Sequence, residues 1–207
     1  MHADEEQAAP PFDHFGLLAP LYEWLIPRVN VEQLERLLRL EAGHHLLDAG
    51  GGTGRVSRFF RGKVARICIL DFSEGMLRQA RAHGGFETCR GVTERLPFRD
   101  DSFPRILAVD SFHHYRNQRR AAAELLRVLA PGGRMVIEEP DIRRFSVKLI
   151  ALMEFVLVMR SHFYPPQAIA EMFRAAGGEA HVHEDGGPNA WIIVEKGGGV
   201  SNVIPQP

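Results

Sequence analysis

The stretch Leu46-Leu47-Asp48-Ala49-Gly50-Gly51-Gly52-Thr53-Gly54-Arg55-Val56 decides how this chain is read. An apolar run ends in a carboxylate and a small residue, and glycines follow at the alternate positions 50, 52 and 54. The order is that of a strand running into a glycine loop that opens a helix, expected to continue over Val56 to Arg61. Glycine adopts positive φ and lets the backbone approach a ligand closely, so such a loop is expected to expose amides at a helix N-terminus. The next apolar run, Ala65 to Leu70, closes on Asp71. A carboxylate about 20 residues beyond the loop is placed to accept from both hydroxyls of a ribose. A nucleoside-containing ligand is implied.

Spacing narrows the ligand. A dinucleotide turn needs Gly-x-Gly-x-x-Gly, and the third position falls on Arg55 counted from Gly50 or on Ser57 counted from Gly52. Either side chain holds helix and strand too far apart for a pyrophosphate turn, which disfavours an NAD-dependent oxidoreductase. A phosphate loop fits no better, because Gly62-Lys63 is followed by Val64, which has no hydroxyl for magnesium.

Four further segments give the pattern Asp-x-Gly-x-Gly-x-Gly its context. Phe72-Ser73-Glu74-Gly75-Met76-Leu77 follows Asp71, and Gly91-Val92-Thr93-Glu94-Arg95-Leu96-Pro97-Phe98 leads towards an apolar strand at Arg105 to Val109. Asp110-Ser111-Phe112-His113-His114 comes next, and Glu124 to Arg134 ends in Ala130-Pro131-Gly132-Gly133-Arg134. In this order and spacing, over about Asp13 to Pro140, the chain resembles class I S-adenosylmethionine-dependent methyltransferases, with the ubiquinone/menaquinone-biosynthesis-like group (methyltransferase type 11) as the most similar subfamily.

The resemblance implies S-adenosyl-L-methionine as cofactor and S-adenosyl-L-homocysteine as product. It implies that Asp48 helps hold the cofactor's amino-acid end with Gly50, Gly52, Thr53 and Gly54, and that Asp71 takes the ribose. Phe72 and Met76 would lie beside the adenine. Relatives often carry Asp after the glycine at 91; here it is Val92, so backbone groups of Thr93 and Glu94 are expected to read the ring edge. Asp110 and Ser111 would border the cofactor where the fourth strand opens onto the active site. A methyl acceptor of small size completes the reading: a phenol or quinol, a thiol or an activated carbon.

A neutral imidazole at His113 or His114 could take the acceptor's proton as the methyl moves. The bland alternative is that one ring packs or orients backbone while the other faces solvent. Phe12 to Tyr22 resembles the N-terminal helix with which relatives cover the cofactor, and Tyr22 is a third catalytic candidate or else a core aromatic. The other histidines have ordinary readings: His83 favours a helix end, and His181 and His183 alternate on a solvated strand face. No Cys/His spacing suits zinc, so no metal is expected.

Composition agrees with one domain. The 207 residues are 45% hydrophobic and 25% charged, enough for one sizeable core. A net charge of -1 leaves no electrostatic footprint for nucleic acid. Cys68 and Cys89 make no disulfide framework, and the acidic, polar N-terminus is no secretory signal, so a cytoplasmic location is expected.

Alternating apolar runs and helical segments predict an α/β, Rossmann-like, doubly wound seven-stranded sheet, mostly parallel with an antiparallel C-terminal strand. Helices are expected at Val31 to Leu40, Gly75 to His83, Arg119 to Leu129 (stopped by Pro131-Gly132) and Ile169 to Ala176. Flexible tails are expected at 1–11 and 197–207, around a single domain 12–196 with a cap helix at 12–30 and a lid or insert helix at 143–165. The nearly unbroken apolar run Phe145 to Met159 is too short to span a bilayer. A substrate lid, a homodimer helix and a peripheral membrane contact all stay open for it. The non-enzymatic alternative is a cofactor- or partner-binding subunit with a degenerate pocket.

Overall fold

The computed structural model describes residues 29–143, 162–187 and 189–198. Tyr22, most of the expected cap helix and the apolar run Phe145 to Met159 lie outside them. The described residues form a seven-stranded sheet in the order β3-β2-β1-β4-β5-β7-β6. Its strands are β1 (His45–Ala49), β2 (Arg66–Asp71), β3 (Glu87–Arg90), β4 (Phe103–Val109), β5 (Leu129–Pro140), β6 (Glu179–His183) and β7 (Asn189–Glu195). Pairing from β3 through β5 is parallel, and β7 runs antiparallel to both β5 and β6. The doubly wound α/β sheet read from the sequence is the one observed.

Strands buried on both faces explain the continuous apolar runs. Leu47, Ala49, Ile106, Ala108, Met135 and Ile137 face helices α3 (Gln118–Val128) and α4 (Pro166–Ala175) in one core. Their neighbours Leu46, Leu107, Val109 and Val136 face the other way, against Leu34 and Leu38 of α1 (Val31–Leu38) and Leu77 of α2 (Glu74–His83). Each fully buried large apolar side chain contributes about 1.5–3 kcal/mol, so both layers are needed. Caps set the helix starts: Asn30, Ser73 and Asn117 accept from the amides of Gln33, Met76 and Arg120. Gly177, at φ 98°, follows the end of α4.

Two local expectations are corrected. The helix expected over Val56 to Arg61 is a four-residue 3-10 turn, Ser57–Phe60. Arg61 is extended at ψ 133° and Gly62 sits at φ 76°, so no further helical turn can form. The turn Pro131-Gly132 does not stop α3 either. Leu129 is already extended and paired with Phe103, and the ladder resumes at Arg105 opposite Arg134. Pro131 to Gly133 is thus a bulge inside β5. It demands glycine, because a Cβ at Gly133 would lie 2.6 Å from the Ala130 carbonyl oxygen.

Candidate active site

Ligands of open parallel sheets gather at the carboxyl ends of the strands, where the order reverses. Here β1 lies between β2 and β4, and the glycine loop leaves β1 at that point. Gly50, Gly52 and Gly54 all have positive φ, at 71°, 56° and 76°. Their surroundings differ. A Cβ at Gly50 would strike Ser111 Cβ at 2.7 Å, and one at Gly54 would strike Ile69 and Phe86 at 2.8 Å. At Gly52 it would find only Met76 Sδ at 3.9 Å and Asp71 Oδ2 at 4.0 Å. Gly52 therefore faces a cradle whose walls are Asp71 and Met76.

The loop's amides turn inward. Gly50 and Gly51 donate to the Leu70 carbonyl at 2.8 and 3.2 Å, Gly54 donates to Gly51, and Gly52 donates to Asp71 Oδ2 at 2.9 Å. With a short 3-10 turn and four engaged amides, the loop is not the helix-end anion cradle expected from the sequence. It suits a nucleoside ligand without a pyrophosphate, held by a carboxylate rather than by loop amides.

Beneath the loop, the buried carboxyl of Asp48 accepts from Ser57 Oγ at 2.6 Å. Burial pushes its pKa up to about 6, against the Ser57 bond that lowers it. Gly51 sits directly on this carboxyl, where a Cβ would come within 2.5 Å of Asp48 Cγ. Asp71 is nearly buried, and its second oxygen accepts from the Ser73 amide at 2.8 Å. Met76 is buried and Phe72 partly exposed beside it. Thr53 is buried, and its carbonyl meets His83 Nδ1 at 3.0 Å.

The adenine-side loop is tied down by side chains. Glu94 Oε1 accepts from the amides of Arg116 and Asn117 at 2.7 and 3.2 Å. Thr93 is buried and bonds Tyr115 through its side chain. Tyr115, which the sequence reading passed over, donates its hydroxyl to the Ala49 carbonyl at 2.9 Å, and Ser111 Oγ donates to the same oxygen at 3.0 Å. Burial pushes the Tyr115 phenol well above its ordinary range, so it stays a donor.

Beyond β4 the chain strains. Asp110 has φ 56°, an unusual conformation that Asp tolerates better than most residues, and it lies 3.7 Å from the Arg55 guanidinium. A 3-10 turn, Phe112–His114, follows. Its start is held by Glu139, also missed in the sequence. Glu139 Oε1 accepts from the amides of Ser111 and Phe112 at 3.0 and 2.7 Å, and Oε2 lies 2.6 Å from His113 Nδ1. His113 is 3% exposed and stacks on Phe163 at 4.4 Å. The His114 ring lies 4.0 Å away and is partly exposed. Burial, and then the charge of His113, hold the His114 pKa well below the ordinary 6.5.

On the opposite face of β5, Glu138 is 3% exposed. Its Oε1 accepts from Asn189 Nδ2 at 2.7 Å, while its Oε2 is buried without a hydrogen-bond partner. Burial and the nearby Asp110 push its pKa up to about 7. The sequence signal for both residues was a pair of carboxylates closing an otherwise apolar strand. The histidines of β6 are less alike than expected. His181 is exposed, but His183 is partly buried, with Nε2 3.0 Å from Gln33 Nε2. Among the described residues, no group of three His, Cys, Asp or Glu is arranged to hold a metal ion.

A sheet of this order, with a carboxylate-walled glycine loop at its switch point, is similar to that of class I S-adenosylmethionine-dependent methyltransferases. Residues 47–137 match the methyltransferase domain family. The ubiquinone/menaquinone biosynthesis C-methyltransferase of Paracoccus denitrificans is 36% identical over 128 residues, covering 58% of this chain and 46% of that protein. The chain spans about half the length of the curated relatives it matches first. An S-adenosylmethionine-dependent methyltransferase from Aquifex aeolicus shares the fold, with a TM-score of 0.70, 16% identity, and coverage of 85% of this chain and 96% of that one. The [4+2]-cyclase SpnF does too, at a TM-score of 0.69 and 19% identity, covering 89% of this chain and 95% of that one. Fold alone therefore does not fix the reaction.

Proposed function

We propose that this chain transfers a methyl group from S-adenosylmethionine to a small-molecule acceptor by in-line displacement. One observation carries the reading: the inward-turned loop meets Asp71 and leaves Gly52 open beside Met76. Asp71 then takes the ribose hydroxyls, while Met76, Phe72 and the Thr93–Glu94 backbone border the adenine. Asp48 shapes the loop from below, and Thr53, Asp110 and Ser111 border the amino-acid end. When bound, the cofactor supplies an already electrophilic methyl group. What remains for the protein is alignment, exclusion of water and a base for an acidic nucleophile. His113 and His114 are the candidates for that base.

Among acceptors, quinols come first, since the similar proteins are named for ubiquinone and menaquinone biosynthesis; phenols and thiols follow. No helix among the described residues is long and apolar enough to cross a membrane. Calorimetry with S-adenosylmethionine and with NAD tests the cofactor, and S-adenosylhomocysteine release across quinols, phenols, thiols and amines tests the reaction. Tight NAD binding, or no binding of S-adenosylmethionine, would sink the reading. Binding without turnover on any acceptor would leave the binding-subunit alternative.

A further inference from the structure

The two adjacent histidines are held differently, and the difference assigns them different work. We propose that Glu139 and His113 form a buried positioning dyad that sets the Phe112–His114 turn, and that His114 is the group that meets the acceptor's proton. The inference rests on the methyl-transfer reading.

Glu139 spends both carboxylate oxygens on the turn, through the Ser111 and Phe112 amides and through His113 Nδ1. A carboxylate can only accept, so His113 Nδ1 carries the hydrogen. One face of the His113 ring lies flat on Phe163, with 15° between the planes, and its backbone carbonyl accepts from His162 at 2.8 Å. This histidine is thereby clamped between β5 and the segment that leads into α4. His114 closes the same turn, its amide donating to the Ser111 carbonyl at 3.1 Å. The His114 ring packs at a tilt against that of His113, their centroids 4.0 Å apart, yet keeps partial exposure where His113 is buried. Its environment favours the neutral imidazole, the form that can accept a proton.

Two measurements test the division. In protein labelled with ¹⁵N at histidine, His113 should show the Nδ1–H tautomer. In Glu139→Gln the amide oxygen keeps the Ser111 and Phe112 bonds, the NH2 group faces His113, and the ring should switch to Nε2–H. S-adenosylhomocysteine release with a 1,4-naphthoquinol as probe acceptor gives the second. His114→Gln should lower kcat by about 10²-fold or more, within the range of a lost general base. Glu139→Gln should lower it by roughly 10–100-fold, as where a carboxylate orients a metal-bound imidazole. KM for the naphthoquinol and calorimetric affinity for S-adenosylmethionine should hold in both.

The proposal is overturned if His113→Gln costs more than His114→Gln, or if the parent shows His113 as Nε2–H. It is also overturned if Glu139→Gln leaves the tautomer unchanged. Should Glu139→Gln not fold, slow hydrogen exchange at the Ser111 and Phe112 amides of the parent, together with its tautomer, decides for or against the dyad. A parent that releases no product from any acceptor overturns the methyl-transfer reading and the His114 role with it, while the tautomer still judges the dyad alone.

Discussion

The amide of Gly52 donates to Asp71 Oδ2 over 2.9 Å, joining the loop after β1 to the end of β2. One carboxylate thus shapes the loop and walls the cradle beside it. Substitutions here therefore act on stability and on binding in separable proportions.

At the glycines, that separation has a geometric basis. Gly52→Ala puts a methyl group into open space, at a backbone strain of about 1–2 kcal/mol. The variant should fold with a slightly lower Tm and lose calorimetric binding of S-adenosylmethionine. Gly54→Ala instead drives a methyl group into Ile69 and Phe86 at 2.8 Å, and its first effect should be on thermal unfolding. Parent affinity in folded Gly52→Ala would remove the loop from the site.

For Asp71, the test is the contrast between two variants. Asp71→Asn keeps an acceptor for one amide but loses the charge that strengthens ribose bonds, each worth about 1.5–3 kcal/mol. Its Kd for S-adenosylmethionine should rise at least tenfold with little change in Tm. Asp71→Ala also strips the Gly52 and Ser73 amides of their acceptor, so it should lose a further 1–3 kcal/mol or so of stability. Equal unfolding curves for the two would contradict the tether.

Glu138 predicts a pH dependence. Its carboxyl titrates at about 7 when folded against an ordinary 4.5, so the folded state binds its proton more tightly. Stability from this group is fully present below pH 4.5 and is lost as pH rises through 7. Asp48, raised from 3.8 to about 6, acts with the same sign. Glu138→Gln should flatten the slope of unfolding free energy between these limits, and at pH 8 it should be more stable than the parent by about 2–3 kcal/mol. A variant less stable than the parent at pH 8 would show that the charge is compensated.

Arg127 should control the loop before β4. Its guanidinium bonds Glu124, Asp100 and the carbonyls of Leu96 and Phe98, while Glu124 accepts from the Leu96 amide at 2.8 Å. Arg127→Met should therefore speed hydrogen exchange at Leu96 while leaving the β4 amides protected. Equal protection at Leu96 would assign the loop's order to Glu94 and Tyr115 instead.

The strands were legible because parallel strands buried on both faces must be continuously apolar, as in Arg66–Asp71 and Phe103–Val109. Gly50, Gly52, Gly54 and Asp71 were legible because local spacing fixes their geometry. What escaped was non-local. Glu139 acts across 28 residues on Ser111, and Tyr115 across 66 on Ala49, distances at which sequence pattern carries no signal. The bulge at Pro131 to Gly133 looked like a helix stop, since the same residues serve either turn. Only the pairing of Leu129 with Phe103 distinguishes them.

β7 enters the sheet against the direction of the others, so its first residue, Asn189, pairs with Pro140 at the carboxyl end of β5. The outer edge of the strand that carries Glu138 and Glu139 is thus closed by chain lying 51 residues later, as the Asn189–Glu138 bond measures it. During vectorial synthesis that edge stands open, a template for pairing with other chains, until almost the whole domain has been made. Release of β7 from the ribosome should therefore close that edge of β5 and complete its carboxylate-lined end, leaving β3 and β6 as the edges of the sheet.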